Sequence, residues 1–175
     1  IERIRNVGDI LEDYKTEKIL IVISAMGKTT NALEKVAEAF FANEKEKSLQ
    51  LFSLIKDQHL QTAKDLLHAE YEHTCEQLAA FFTEVEWLLH DKPVRDYDYY
   101  YDQIVCVGEL LSTAIVWAYF KERGLNAQWI DVRDIFRTDD NFRDANIHWS
   151  YTNQKIIDDI IPLFDKYNFV VTQGF

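Results

Sequence analysis

Residues Ile19 to Asn31, ILIVISAMGKTTN, decide the reading of the chain. Five consecutive apolar residues run into a turn of small residues and then into hydroxyls and an amide. The run is too short for a buried helix, and its Ile/Val content suits a strand covered on both faces, so it reads as a central parallel strand. Beyond it Leu33, Val36, Ala37, Phe40 and Phe41 recur at helical spacing, while Asn31 and Glu34 stand as an N-cap and its capping-box partner. In a strand-turn-helix unit the turn lies at the carboxyl end of the strand, where free amides and the helix dipole favour an anion. A ligand is therefore expected near Ser24 to Thr30. A nucleotide P-loop is excluded, because Val22 occupies the position where that loop needs its first glycine. Local chemistry alone leaves open whether the threonines bind a ligand or only cap the helix.

The formal net charge of −11 and a pI near 4.8 argue against nucleic acid or an anionic membrane as partner, since the summed field repels polyanions. An apolar fraction of 47% over 175 residues is enough for a sizeable core. Cys75 and Cys106 show no paired spacing, which points to a reducing compartment, and cytoplasm is the expectation. No run reads as long or apolar enough to span a bilayer. The chain opens on Ile1, and its single methionine, Met26, lies inside the decisive stretch, so it reads as a piece of something longer, incomplete at both ends.

Outward from that stretch, Ile4, Val7, Leu11 and Tyr14 mark one face of a preceding helix. A parallel strand reached from a helix normally follows an earlier strand of the same sheet. Residues 43–92 are charged and helical, and neither glycine nor proline occurs between Lys28 and Pro93. Within them His68, Glu72, His73 and Cys75 read as a solvated face, not a metal site. Pro93 to Asp102, PVRDYDYYYD, reads as a loop whose tyrosines pack on the following helix. That helix, near Gln103 to Arg123, is apolar and should be largely buried, stopping at Gly124. It carries Glu109, which needs either a compensating partner or a wet edge. A strand at 127–132, a helix capped by Thr152 or Asn153 and disturbed by Pro162, and a short buried strand from Phe169 complete the pattern.

VISAMGKTTNAL, CVGELLST, DVR followed by FRTDDNF, and TQGF occur in that order. They resemble the aspartate kinases of the amino acid kinase superfamily, and the resemblance covers nearly the whole chain. It implies an α/β three-layer sandwich with a mainly parallel sheet and a long helical insertion at about 43–92. Residues 1–175 would then be the N-terminal amino-acid-binding lobe of a catalytic domain. The implied reaction is transfer of the γ-phosphoryl group of ATP, with Mg²⁺, to the side-chain carboxylate of L-aspartate, the first step toward lysine, threonine and methionine. Carried over by position, Ser24 and Thr30 would hold the substrate, Glu109 would pair with its ammonium, and Phe175 would wall the pocket. The resemblance assigns no catalytic residue or metal ligand to this stretch. The family's Lys-Phe-Gly-Gly segment and its glycine-rich loop with arginine and aspartate are not present, so the isolated 175 residues are expected to be inactive, and the parent enzyme a homo-oligomer. The alternatives are another kinase of the superfamily, or a non-catalytic binding or assembly piece whose helical excursion docks a partner.

Overall fold

The computed structural model describes residues 1–174. Helix α1 (Glu2–Glu12) leads into strand β1 (Ile19–Ile23), and helix α2 (Thr29–Phe41) follows. Then come α3 (Lys45–Leu66), α4 (Tyr71–His90), α5 (Tyr97–Val105) and α6 (Val107–Glu122). Strand β2 (Ala127–Trp129), helix α7 (Trp149–Lys155) and strand β3 (Phe169–Gln173) close the order. The three strands form one parallel sheet in the order β1-β3-β2. The α/β class with a parallel sheet therefore stands.

Within the described residues β1 is an edge strand, not the central one. The middle strand is β3, buried along its whole length. On β1 the residues Ile19, Ile21 and Ile23 pack into the core, while Leu20 and Val22 keep 46% and 59% of their surface exposed. An unbroken apolar run tells that both faces of a strand are apolar. It does not tell which strand lies beside it, because pairing is made by the backbone.

Helix α6 is the axis of the core. Every residue from Val107 to Val116 is buried, and the helix packs on α3, α4, β2 and β3. A helix apolar all round belongs inside the protein. Together with α5 it forms a stretch, Tyr97–Glu122, that is long and apolar enough to cross a membrane, contrary to the reading that no run is. Its apolar window is 83% buried inside this fold, which accounts for the composition. The charged residues 43–92 form two long helices, α3 and α4, as their stripes of apolar side chains predict.

Four local expectations give way. Residues 97–105 are helical, not a loop. Tyr97 and Tyr100 stack edge-on against Phe41 and Phe40 with centroids 5.4 and 5.0 Å apart, and Tyr101 donates to Glu34 at 2.7 Å. That burial outweighs the turn-like composition. Helix α2 begins at Thr29 with Lys28 as its N-cap, so Asn31 does not cap it and Glu34 serves Tyr101 instead. Helix α7 is capped by His148, not by Thr152 or Asn153, and the buried Thr152 hydroxyl accepts the Arg137 N–H at 3.3 Å. The helical path then widens into a π turn (Ile156–Ile160) before tightening into a 3-10 turn (Ile161–Asp165) that holds Pro162. A proline supplies no N–H, so the ladder changes pitch where it occurs. Strand β2 is also shorter than 127–132, because Asp131 caps a 3-10 turn at Val132–Asp134.

Candidate functional site

Parallel strands place their carboxyl ends along one edge of the sheet. Here Ser24 follows β1, Asp131 lies just beyond β2, and Gln173 ends β3. Such an edge is where open α/β sheets bind ligands. Gly27 takes φ +58° to turn the chain after β1, and Thr29 donates its hydroxyl to the Met26 carbonyl at 2.7 Å. Helix α2 thus starts at the turn, and the positive end of its dipole faces the same edge.

Glu109 reaches this turn from the first turn of α6. It is 4% exposed, and its Oε1 accepts the Ala25 N–H at 3.2 Å and the Ser24 hydroxyl at 3.4 Å. Its Oε2 is buried with no hydrogen-bond partner among the described residues. A buried carboxylate oxygen left unsatisfied is costly, and it marks a place where a donor is missing.

Gly108 makes the approach feasible. A Cβ there would lie 3.1 Å from both the Ala25 Cβ and the Leu33 Cδ1, and 3.3 Å from the Thr29 Cγ2. Glycine lets α6 come this close to the turn and to α2 without those neighbours having to give by a few tenths of an ångström.

The other two strand ends are tied together. Gln173, 2% exposed, donates through Nε2 to Asp131 Oδ1 at 2.5 Å, and its Oε1 is buried without a partner among the described residues. Arg133 grips Asp131 through Nε at 2.9 and 3.1 Å and through Nη2 at 2.7 Å. Its Nη1 reaches Glu84 of α4 at 3.3 Å. Cys106, just before α6, has its thiol pushed up to about 12, chiefly by burial, so it stays protonated and unreactive at neutral pH.

Of the residues singled out from the sequence, Ser24 and Glu109 come into hydrogen-bonding contact. Thr30 is the second residue of α2, a few residues after Ser24, and is half-buried with no side-chain hydrogen bond to either among the described residues. Phe175 lies outside the described residues. Gly108, Asp131 and Gln173 stood inside quoted motifs but carried no assigned role. Nothing in one dimension marks the close approach of Gly108 or the pairing of Gln173 with Asp131.

A groove of about 870 Å³ runs between α1, β1 and α6, and the Ser24–Gly27 turn lines one end of it. Among the described residues no group of three or more His, Cys, Asp or Glu side chains is placed to hold a metal ion.

A family model, the amino acid kinase family, matches residues 2–175. Aspartokinase 1 of Arabidopsis thaliana, a chloroplastic protein, is 33% identical over 156 residues, covering 83% of this chain and 26% of that protein. Lysine-sensitive aspartokinase 3 of Escherichia coli is 27% identical over 173 residues, covering 98% of this chain and 36% of its own length. In structure, E. coli aspartokinase III in complex with lysine and aspartate superposes with a TM-score of 0.75 at 26% identity, over 89% of this chain and 34% of that one. The chain thus spans about a quarter to a third of the length of these relatives. With a match over nearly all of its residues, the chain belongs to the amino acid kinase family, and among the family's members it resembles the aspartokinases.

Proposed function

We propose that the protein carrying this chain phosphorylates the side-chain carboxylate of L-aspartate with ATP, giving 4-phospho-L-aspartate at the head of lysine, threonine and methionine synthesis. The observation that carries the reading is the buried, partnerless Oε2 of Glu109 at the carboxyl edge of the sheet. A fixed carboxylate with one free oxygen calls for a cationic donor, and the α-ammonium of an amino acid is such a group.

The chemistry asks little of a general base, because the attacking carboxylate is already a nucleophile. What the protein supplies is position and charge compensation for two anions brought together. Glu109 would take the ammonium, Ser24 and Thr30 would contact the substrate through hydroxyl and backbone groups, and the start of α2 would face its negative end. Phe175 would close the pocket. The Ser24 hydroxyl and the Ala25 N–H hold Oε1, so the carboxylate is aimed before the substrate arrives. ATP with Mg²⁺ is the donor this reading requires. The described residues offer the metal no carboxylate cluster, and no step is assigned to it. The reading extends to a cytoplasmic homo-oligomer that needs more than these residues for turnover.

The test is a trapping assay on the full-length protein. Acyl phosphates react with hydroxylamine, so ATP, aspartate and hydroxylamine should yield aspartyl hydroxamate in step with ADP release. ADP release that aspartate does not stimulate, while another amino acid does, would replace aspartate with that substrate.

A further inference from the structure

We propose that Gln173 is a second acceptor for the substrate's ammonium group, neutral where Glu109 is charged. The inference rests on the reading of the site as an amino acid site, and it assigns a residue that the motifs alone do not.

The amide of Gln173 has a settled orientation. Asp131 is an ionised acceptor held by three contacts from Arg133, so the group it receives from Gln173 at 2.5 Å must be the NH₂. The carbonyl oxygen is thereby turned the other way, and it is buried with no partner among the described residues. Its side of the sheet follows from register. Gln173 pairs with Ile23 in the parallel ladder, and paired residues of neighbouring strands face the same side. Ile23 packs into the core with Ile19 and Ile21, and the β3 residues on that face, Phe169 and Val171, belong to the core cluster that contains α6. The next residue after Ile23 is Ser24, whose hydroxyl meets Glu109.

Two partnerless acceptors, Glu109 Oε2 and Gln173 Oε1, therefore stand on the α6 side of the sheet at the carboxyl ends of adjacent strands. Neither can satisfy the other, since both only accept. A ligand with several N–H groups on one atom satisfies both, and an ammonium has three. One charged and one neutral acceptor give direction without placing a second carboxylate on a single cation, in a chain whose formal charge is already −11.

The experiment uses the full-length protein with two probes: aspartate as substrate, and succinate, which is aspartate without its amino group, as competitive inhibitor. In Gln173→Met the KM for aspartate should rise roughly tenfold, as expected for one lost hydrogen bond to a charged group, with kcat within about threefold and the Ki for succinate unchanged. The double variant Glu109→Gln/Gln173→Met should lose less than the product of the two single losses, because both residues hold one group. Equal effects on aspartate and succinate in Gln173→Met, or no effect on either, overturn the proposal. If Glu109→Gln weakens aspartate while Gln173→Met does not, only this assignment falls. If neither variant touches aspartate kinetics, the amino acid reading falls with it.

Discussion

Glu109 on α6 and His59 on α3 are both almost wholly inaccessible, and each satisfies one polar atom and leaves another without a partner. His59 donates through Nδ1 to the Ile55 carbonyl at 2.7 Å, and its Nε2 is the orphan. Their surroundings separate them. His59 shares its buried helix face with Phe52, Ile55 and Ala63. Burial keeps its pKa below the ordinary histidine value, so it is neutral at neutral pH, and a neutral ring nitrogen tolerates isolation better than a carboxylate does. Glu109 sits against the turn that joins the end of β1 to the start of α2. A missing partner is thus no mark of a site by itself; charge and a place at the carboxyl edge of the sheet are what make Glu109 a candidate.

The largest expected effect tests the Glu109 side of this contrast. In the full-length protein Glu109→Gln should cost on the order of 2–4 kcal/mol in kcat/KM for aspartate and leave the KM for ATP nearly unchanged. Steady-state kinetics with each substrate varied in turn will show it. Unaltered aspartate kinetics would make Glu109 a second His59, a core residue with an idle atom.

A smaller effect probes how Glu109 is brought to the turn. Gly108→Ala puts a methyl at 3.1 Å from the Ala25 and Leu33 side chains, tight enough that α6 or these neighbours must give by a few tenths of an ångström. About 1–3 kcal/mol of stability should be lost, read from the urea midpoint, with a weaker affinity for aspartate as Glu109 draws away from the Ala25 N–H. Loss of stability without any change toward aspartate would separate the packing from the site.

The smallest effect concerns His59. At pH 8 His59→Leu should stay within about 1.5 kcal/mol of the parent and leave aspartate kinetics alone, as a swap inside an apolar pack. The sign of the pH dependence follows from the direction of its shift. The unfolded chain protonates this histidine near the ordinary value of 6.5 while the folded one resists, so the unfolded state binds more protons below that pH. Stability from this group is full above that value and falls as pH drops through it, by at most about 1.4 kcal/mol per pH unit. Denaturation midpoints between pH 7 and 5 should lose that slope in the Leu variant. A slope that survives the substitution belongs to other groups.

Much of this architecture was legible in the sequence because burial writes itself as periodicity. The apolar run of β1, the all-apolar α6 and the long stripes of α3 and α4 appear where the pattern puts them. The Ser24 and Glu109 meeting was legible only through the family's motifs, since the two lie on separate elements. What escaped depends on tertiary partners. The tyrosines of α5 look like a loop until Phe40 and Phe41 are beside them. The edge position of β1 depends on which backbone it pairs with, and the part played by Gly108 depends on the distance to another helix.

Strand β3 is the last strand of the described chain and the middle of the sheet, with β1 and β2 on its two sides. That order constrains how the protein folds. Helices α2 to α6 are consecutive, and their contacts are mostly between near neighbours in sequence, so they can collapse early. Among the described strands, none can pair until Phe169–Gln173 arrives, because β1 and β2 have no bond to each other. Closing β1 onto β3 spans the whole helical body and carries the loop entropy of that span. During synthesis the uncharged strand ILIVI therefore waits for β3, and the described sheet edge that holds Glu109 and Gln173 closes only when Phe169–Gln173 has emerged.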